Sequence, residues 1–140
     1  MKRSFAEGNG ELVSPESKPE EHGTVTPYFT VENADDLIRF LKTVFDAFVI
    51  KESRYPDNRV QHVRMRLGNS VIMMNEATED YPVNVSQMHL MVEDCETVYE
   101  LALRSGAMSV MKPNDRPHGE RMAGIKDPCG NIWWLATRHQ

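Results

Sequence analysis

The residues with the most chemistry to offer sit in short apolar runs. In the run Val60 to Leu67, His62, Arg64 and Arg66 alternate with Val63, Met65 and Leu67. An extended strand therefore puts one imidazole and two guanidiniums on a single face. Gln87 and His89 stand two residues apart in Q-M-H-L-M-V and share a face in the same way. Histidine moves protons near neutral pH without much tuning. His62 and His89 are accordingly the candidate catalytic residues, acting in general acid–base roles. An isolated strand histidine is more often structural, and the two arginines on its face single out His62. The other histidines fall in segments read as tail (His22), loop (His118) and chain end (His139). Both tryptophans are adjacent, in D-P-C-G-N-I-W-W-L-A-T. Neighbours in a strand point to opposite faces, so one indole is expected to pack under helices and the other to face an enclosed side.

These runs need elements to hold them. Val25 to Val31 is β-branched and aromatic and reads as a strand, with Pro27 suiting an edge. The next segment has Leu37, Leu41, Val44 and Phe48 at helical spacing, Asp35 and Asp36 in its first turn and Asn33 as the expected N-cap. Strands follow over Phe48 to Arg54, Val60 to Leu67 and Ser70 to Asn75, the last two joined by the turn dipeptide Gly68-Asn69. The order is β-α-β-β-β. It then recurs. Val92-Glu93-Asp94 follows Val31-Glu32-Asn33 at an interval of 61 residues, and Gly130-Asn131 answers Gly68-Asn69 at 62. The second helix is expected to start at an Asp94 cap, to turn Val98, Leu101 and Ala102 inward, and to stop at a left-handed Gly106. Short strands are expected over Met108 to Met111, Arg121 to Lys126 and Ile132 to Thr137. The Pro113 to Gly119 stretch between the first two reads as a loop able to cover a pocket mouth. The fold class is thus α+β: two tandem βαβββ modules sharing a mostly antiparallel sheet, with a hollow between them. One such unit hardly buries its sheet alone, whereas two can.

Composition narrows the partners. The net charge of −5 argues against a nucleic-acid binder, which presents a basic face to phosphates. No run reaches the roughly 20 apolar residues of a membrane helix. Neither an apolar signal core nor a CxxC pair is present, so a cytoplasmic protein with reduced Cys95 and Cys129 is expected. Residues 1–23, rich in Glu, Ser, Pro and Gly, read as a disordered N-terminal tail. Residues 24–140 form the folded domain, with module one at about 24–78 and module two at about 86–138. There is no G-x-S-x-G and no P-loop.

The segments V-T-P-Y-F-T-V, H-V-R-M-R-L-G-N-S-V-I-M-M, M-H-L-M-V-E-D and G-E-R-M-A-G-I-K-D-P-C-G-N-I-W-W-L-A-T together resemble the PhnB-like branch of the vicinal oxygen chelate superfamily. This is the glyoxalase, bleomycin-resistance and extradiol-dioxygenase group. The resemblance implies paired modules forming a cup-shaped sheet with helices outside and a small-molecule site inside, frequently as a homodimer, with the facing modules drawn from one chain or from two. It also implies metal-ligand places on the first and last strands of each module, which here fall on Thr26, Met73, Gln87 and Trp134. A divalent ion wants several oxygen or imidazole donors, and this set supplies one good donor in Gln87.

The expectation is therefore a site without the family metal or any other cofactor. Trp134 and Met73 would wall it for a small, partly apolar ligand, with Gln87, Arg64 and Arg121 as polar binding residues. Two further readings stay open: a metal-dependent lyase, isomerase or dioxygenase of the same fold, and a non-catalytic antibiotic-sequestering protein.

Overall fold

A computed structural model describes residues 23–138. The expected tail, apart from Gly23, lies outside the described residues, as do His22 and His139. Ten elements run in the order β1 (Tyr28–Val31), α1 (Ala34–Phe45), β2 (Phe48–Arg54), β3 (Val60–Leu67), β4 (Ser70–Glu76), β5 (Gln87–Met91), α2 (Cys95–Arg104), β6 (Met108–Asp115), β7 (Glu120–Lys126) and β8 (Ile132–Arg138). This is the expected βαβββ unit, twice. The first sheet has the strand order β1-β4-β3-β2 and the second β5-β8-β7-β6. In each sheet the first strand pairs parallel to the last and the other pairings are antiparallel. The repeat holds in register: Tyr28 is opposite Met73 as His89 is opposite Trp134. Each module keeps its own four-stranded sheet.

The helices form where the pattern placed them, with one correction at a cap. Leu37, Leu41 and Val44 are buried on α1, joined by Ile38 and Phe40. Asn33 does not cap this helix through its side chain. It takes a left-handed backbone with φ 63°, and the Glu76 carboxylate instead accepts from the Asn33 and Ala34 N–H groups at 2.8 and 2.9 Å. A carboxylate there satisfies two orphan donors and meets the positive helix end. The helix closes at Phe45, so Phe48 lies in β2. On α2 the expected cap is present: Asp94 accepts from the Glu96 N–H and the Thr97 hydroxyl. Gly106 follows the helix with φ 108°.

One core serves both modules. Phe29 of β1 stacks on Trp133 of β8 with centroids 5.9 Å apart and rings 8° from parallel, and Phe45 of α1 meets the same indole at 4.9 Å. The helix-bearing faces of the two sheets contribute to this shared cluster. Period-two alternation then turns the chemically interesting residues to the opposite faces.

A second difference concerns the segment after Met111. The strand β6 continues through Pro113 to Asp115, with irregular pairing to β7 at Ser109/Met111 and Met111/Asn114. Bulges let proline stay in a strand, because its missing N–H falls where no ladder bond is required. The expected covering loop is thereby reduced to the hairpin turn at Arg116–Gly119, closed by Gly119 N–H to Arg116 O at 3.2 Å.

Candidate functional site

The motif D-P-C-G-N-I-W-W builds the site from below. Asp127 accepts from the N–H groups of Cys129 (2.8 Å) and Asn131 (3.0 Å) and from the Trp133 indole N–H (2.8 Å). Asn131 in turn accepts from the Ser86 N–H just before β5. The turn is thus tied to the buried indole and to the neighbouring strand. Burial still pushes the Asp127 carboxyl above its ordinary range, against these donors. With Trp133 locked inward, Trp134 must face outward.

Trp134 lies flat on its sheet. Its indole N–H donates to Gln87 Oε1 at 2.8 Å. Its far edge covers Gly124, the cross-strand partner on β7. A Cβ at that glycine would stand 2.6 Å from Cζ3 of the ring, so only glycine leaves the indole its place. Beside it opens a cavity of about 360 Å³ lined by His89, Met111, Arg116, His118, Met122 and Trp134. At its mouth the Nε2 atoms of His118 and His89 converge on Glu120 Oε1, at 3.2 and 3.6 Å.

The first sheet carries the other set. His62, Arg64 and Met73 lie on its outward face with Tyr28; Arg64 is opposite Met73 in the β3–β4 register. The Tyr28 hydroxyl is 3.4 Å from His62 Nδ1, in place to donate when the imidazole carries its proton on Nε2. Burial first, then the charges of Arg64 and Lys51, hold the His62 pKa below its ordinary value. This imidazole is readily neutral at neutral pH.

The expected site residues thus fall in two groups. Gln87, His89 and Trp134 come together on the second sheet, and His62, Arg64 and Met73 on the first. Arg121 joins neither. It points to the helix face, paired with Glu96 of α2 at 3.3 Å and Asp115 at 3.1 Å. Its neighbour Met122 takes the cavity position, because strand alternation allows only one of the two. A larger cleft, of about 650 Å³, opens between the α1 end, the β3–β4 turn and β5; of the expected residues it touches His89 alone. Sequence reasoning misses Met111, Arg116, Met122, Glu120 and Gly124: it ends β6 at Met111 and starts β7 at Arg121, and nothing in it fixes which β7 residues face the cavity. A glycine inside a strand was the available signal for the indole's resting place.

The four family metal-ligand places do not fit an ion. Trp134 has no lone pair to give, the Gln87 oxygen is taken by the indole N–H, and Met73 offers a soft thioether. Thr26 precedes β1. Among the described residues no group of three or more His, Cys, Asp or Glu is arranged to hold a metal.

Two βαβββ modules joined through a shared core define a tandem-module α+β protein of the glyoxalase type. Residues 21–135 match the model of the Glyoxalase/Bleomycin resistance protein/Dioxygenase superfamily, and the chain belongs to that superfamily. It is 26% identical over 122 residues to the uncharacterized protein Rv0887c of Mycobacterium tuberculosis, covering 79% of this chain and 72% of the relative. The fold is similar to that of TioX from Micromonospora sp. ML1, at 19% identity and TM-score 0.67, covering 83% of this chain and 96% of that one. It is similar also to a PhnB protein from Bacillus cereus, at 19% identity and TM-score 0.64, covering 81% and 98%. Among the described residues no helix is long and apolar enough to cross a membrane.

Proposed function

We propose that this chain binds a small, partly apolar molecule on its outward sheet faces and does so without the divalent ion of the metal-dependent members. The observation that carries this reading is the Trp134 indole, standing at a family ligand position, laid flat over Gly124 and bonded to Gln87. An indole face beside two methionines suits an apolar or aromatic body.

The same reading takes the protein as a cytoplasmic homodimer. Each outward face holds three of the seven expected residues, on opposite sides of the shared core. A second copy whose first module faces the second module of its partner would complete a cup twice over, as two-fold symmetry requires. The two free cysteines are consistent with a reducing compartment.

The test joins two measurements on protein purified without chelators. Elemental analysis is expected to find no stoichiometric divalent ion, and apolar ligands are expected to quench Trp134 emission before and after chelator treatment. A bound ion whose removal abolishes quenching would overturn the reading.

Proton transfer at the same site is a second reading, favoured by the neutral His62 beside the Tyr28 hydroxyl. His62 is the base and His89, backed by Glu120, the opposite acid. His62→Ala and His89→Ala are each expected to lower turnover while leaving ligand quenching in place; unchanged turnover in both excludes it.

A further inference from the structure

The acidity of the chain does not extend to its first outward face. Cross-strand partners share a face, so Lys51 joins Arg64, and Arg66 and His62 lie on the same side. No strand position of that face, from Tyr28 and Thr30 on β1 through Val71, Met73 and Asn75 on β4 to Ser53 on β2, is an aspartate or glutamate. Three carboxylates of this module are engaged elsewhere. Glu76 holds the start of α1, and Asp35 and Glu52 pair with Arg54. Burial first, and then the charges of Arg64 and Lys51, disfavour protonation of the His62 imidazole on this face.

The second face repeats the pattern in a different way. Arg116 lines the cavity beside Trp134 and is bonded to the Asn114 side-chain oxygen at 3.3 Å. Among the described residues it has no ion pair with a carboxylate. The one carboxylate at the mouth, Glu120, is held by His118 and His89. On the second face Arg116 stands beside the apolar lining of Trp134, Met111 and Met122, and on the first Arg64 stands on an inner strand opposite Met73, with Lys51 on the edge strand beside it. A neutral ligand would make no use of those charges, and a cationic ligand would be repelled by them.

We propose that the ligand is an anion: a flat apolar body with one carboxylate or comparable acidic group, the body resting on Trp134, Met111 and Met122 and the acidic group meeting Arg116 and, across the paired cup, Arg64 and Lys51. The inference rests on the ligand-binding reading given above and names the chemical class for it. An arginine fork suits a carboxylate particularly well, because two N–H groups meet two oxygens.

Naphthoate and its neutral isostere naphthamide separate charge from shape. Calorimetric titration of the full chain, with indole emission followed in parallel, is expected to show naphthoate binding about tenfold more tightly, the effect of one charge-assisted hydrogen bond. The advantage should shrink as salt is raised. Arg116→Gln and Arg64→Gln should each narrow the difference in affinity between the two probes, and Trp134→Phe should remove the emission change. Equal affinity for the two probes, or a preference for the amide, overturns the anion inference and leaves the apolar site standing. If neither probe binds or alters Trp134 emission, the ligand-binding reading falls and the inference with it.

Discussion

The Trp134 indole occupies the space that a side chain on Gly124 would need, with 2.6 Å between a Cβ built there and the ring. The two residues are cross-strand partners. A large flat residue on one strand is accommodated by an absent side chain on the next, and the cavity floor results from that pairing. Gly124→Ala should tip the ring off the sheet and strain its bond to Gln87. The cost is expected to be about 1 to 3 kcal/mol, as for overpacking elsewhere, with a red-shifted emission. Pairing it with Trp134→Ala should restore most of the loss, since the clash needs both partners. Urea titration of the two single variants and the double variant reads the coupling.

Trp133 answers to a different partner. Its N–H supports the buried Asp127 carboxylate, so Trp133→Phe removes a donor from a group that burial already disfavours in its charged form. The folded pKa of Asp127 lies above the ordinary 3.8. Its contribution to stability is fully present below the unfolded value and is lost as pH rises through the folded one. Losing the indole donor raises the folded pKa further. Trp133→Phe should therefore cost about 2 kcal/mol near neutral pH and less in mild acid, which paired urea melts at the two conditions would show.

His62 has the opposite sign. Its pKa is lowered in the folded chain from the ordinary 6.5. On acidification the unfolded chain takes up the proton first, so stability should fall as pH drops from about 6.5 towards the folded value. In His62→Gln this part of the pH–stability profile should flatten. Proton NMR of the His62 ring should place its midpoint below 6.5, and a midpoint above it would contradict the cationic field of that face.

Glu76 tests the corrected cap. Glu76→Ala leaves the Asn33 and Ala34 N–H groups without their acceptor and should cost about 1 to 2 kcal/mol. Asn33→Ala should be worse than neutral for another reason, because its left-handed backbone disfavours alanine. Chemical denaturation of each variant, with hydrogen exchange at the first turn of α1, distinguishes lost capping from backbone strain.

Much of this molecule was legible in its sequence. Alternation in Val60–Leu67 placed His62, Arg64 and Arg66 on one face, and the spacing of Val31 and Val92 set the repeat that the Tyr28–Met73 and His89–Trp134 registers display. These features succeed because burial imposes a period the chain must obey. Arg121 failed for the same physical reason. A strand position off by one changes face, and nothing around Arg121 marked the phase of β7. Asn33 looked like a cap by type, but the competing acceptor, Glu76, lies 43 residues away and is brought close only by the sheet. The end of β6 reads as a loop because Pro113 and its polar neighbours suit one, and bulges let a strand carry them.

The joining of half-sites from two copies is the claim on which the functional account most depends. Met73→Glu spoils the face of the first module and Trp134→Ala that of the second. A heterodimer of these two variants, isolated through two different tags, contains one cup with both defects and one with neither. It is expected to bind naphthoate or naphthamide, whichever the unaltered protein binds, with unaltered affinity and about half the sites. A heterodimer without any site of unaltered affinity, or a chain that binds the probe fully as a monomer, would contradict the account.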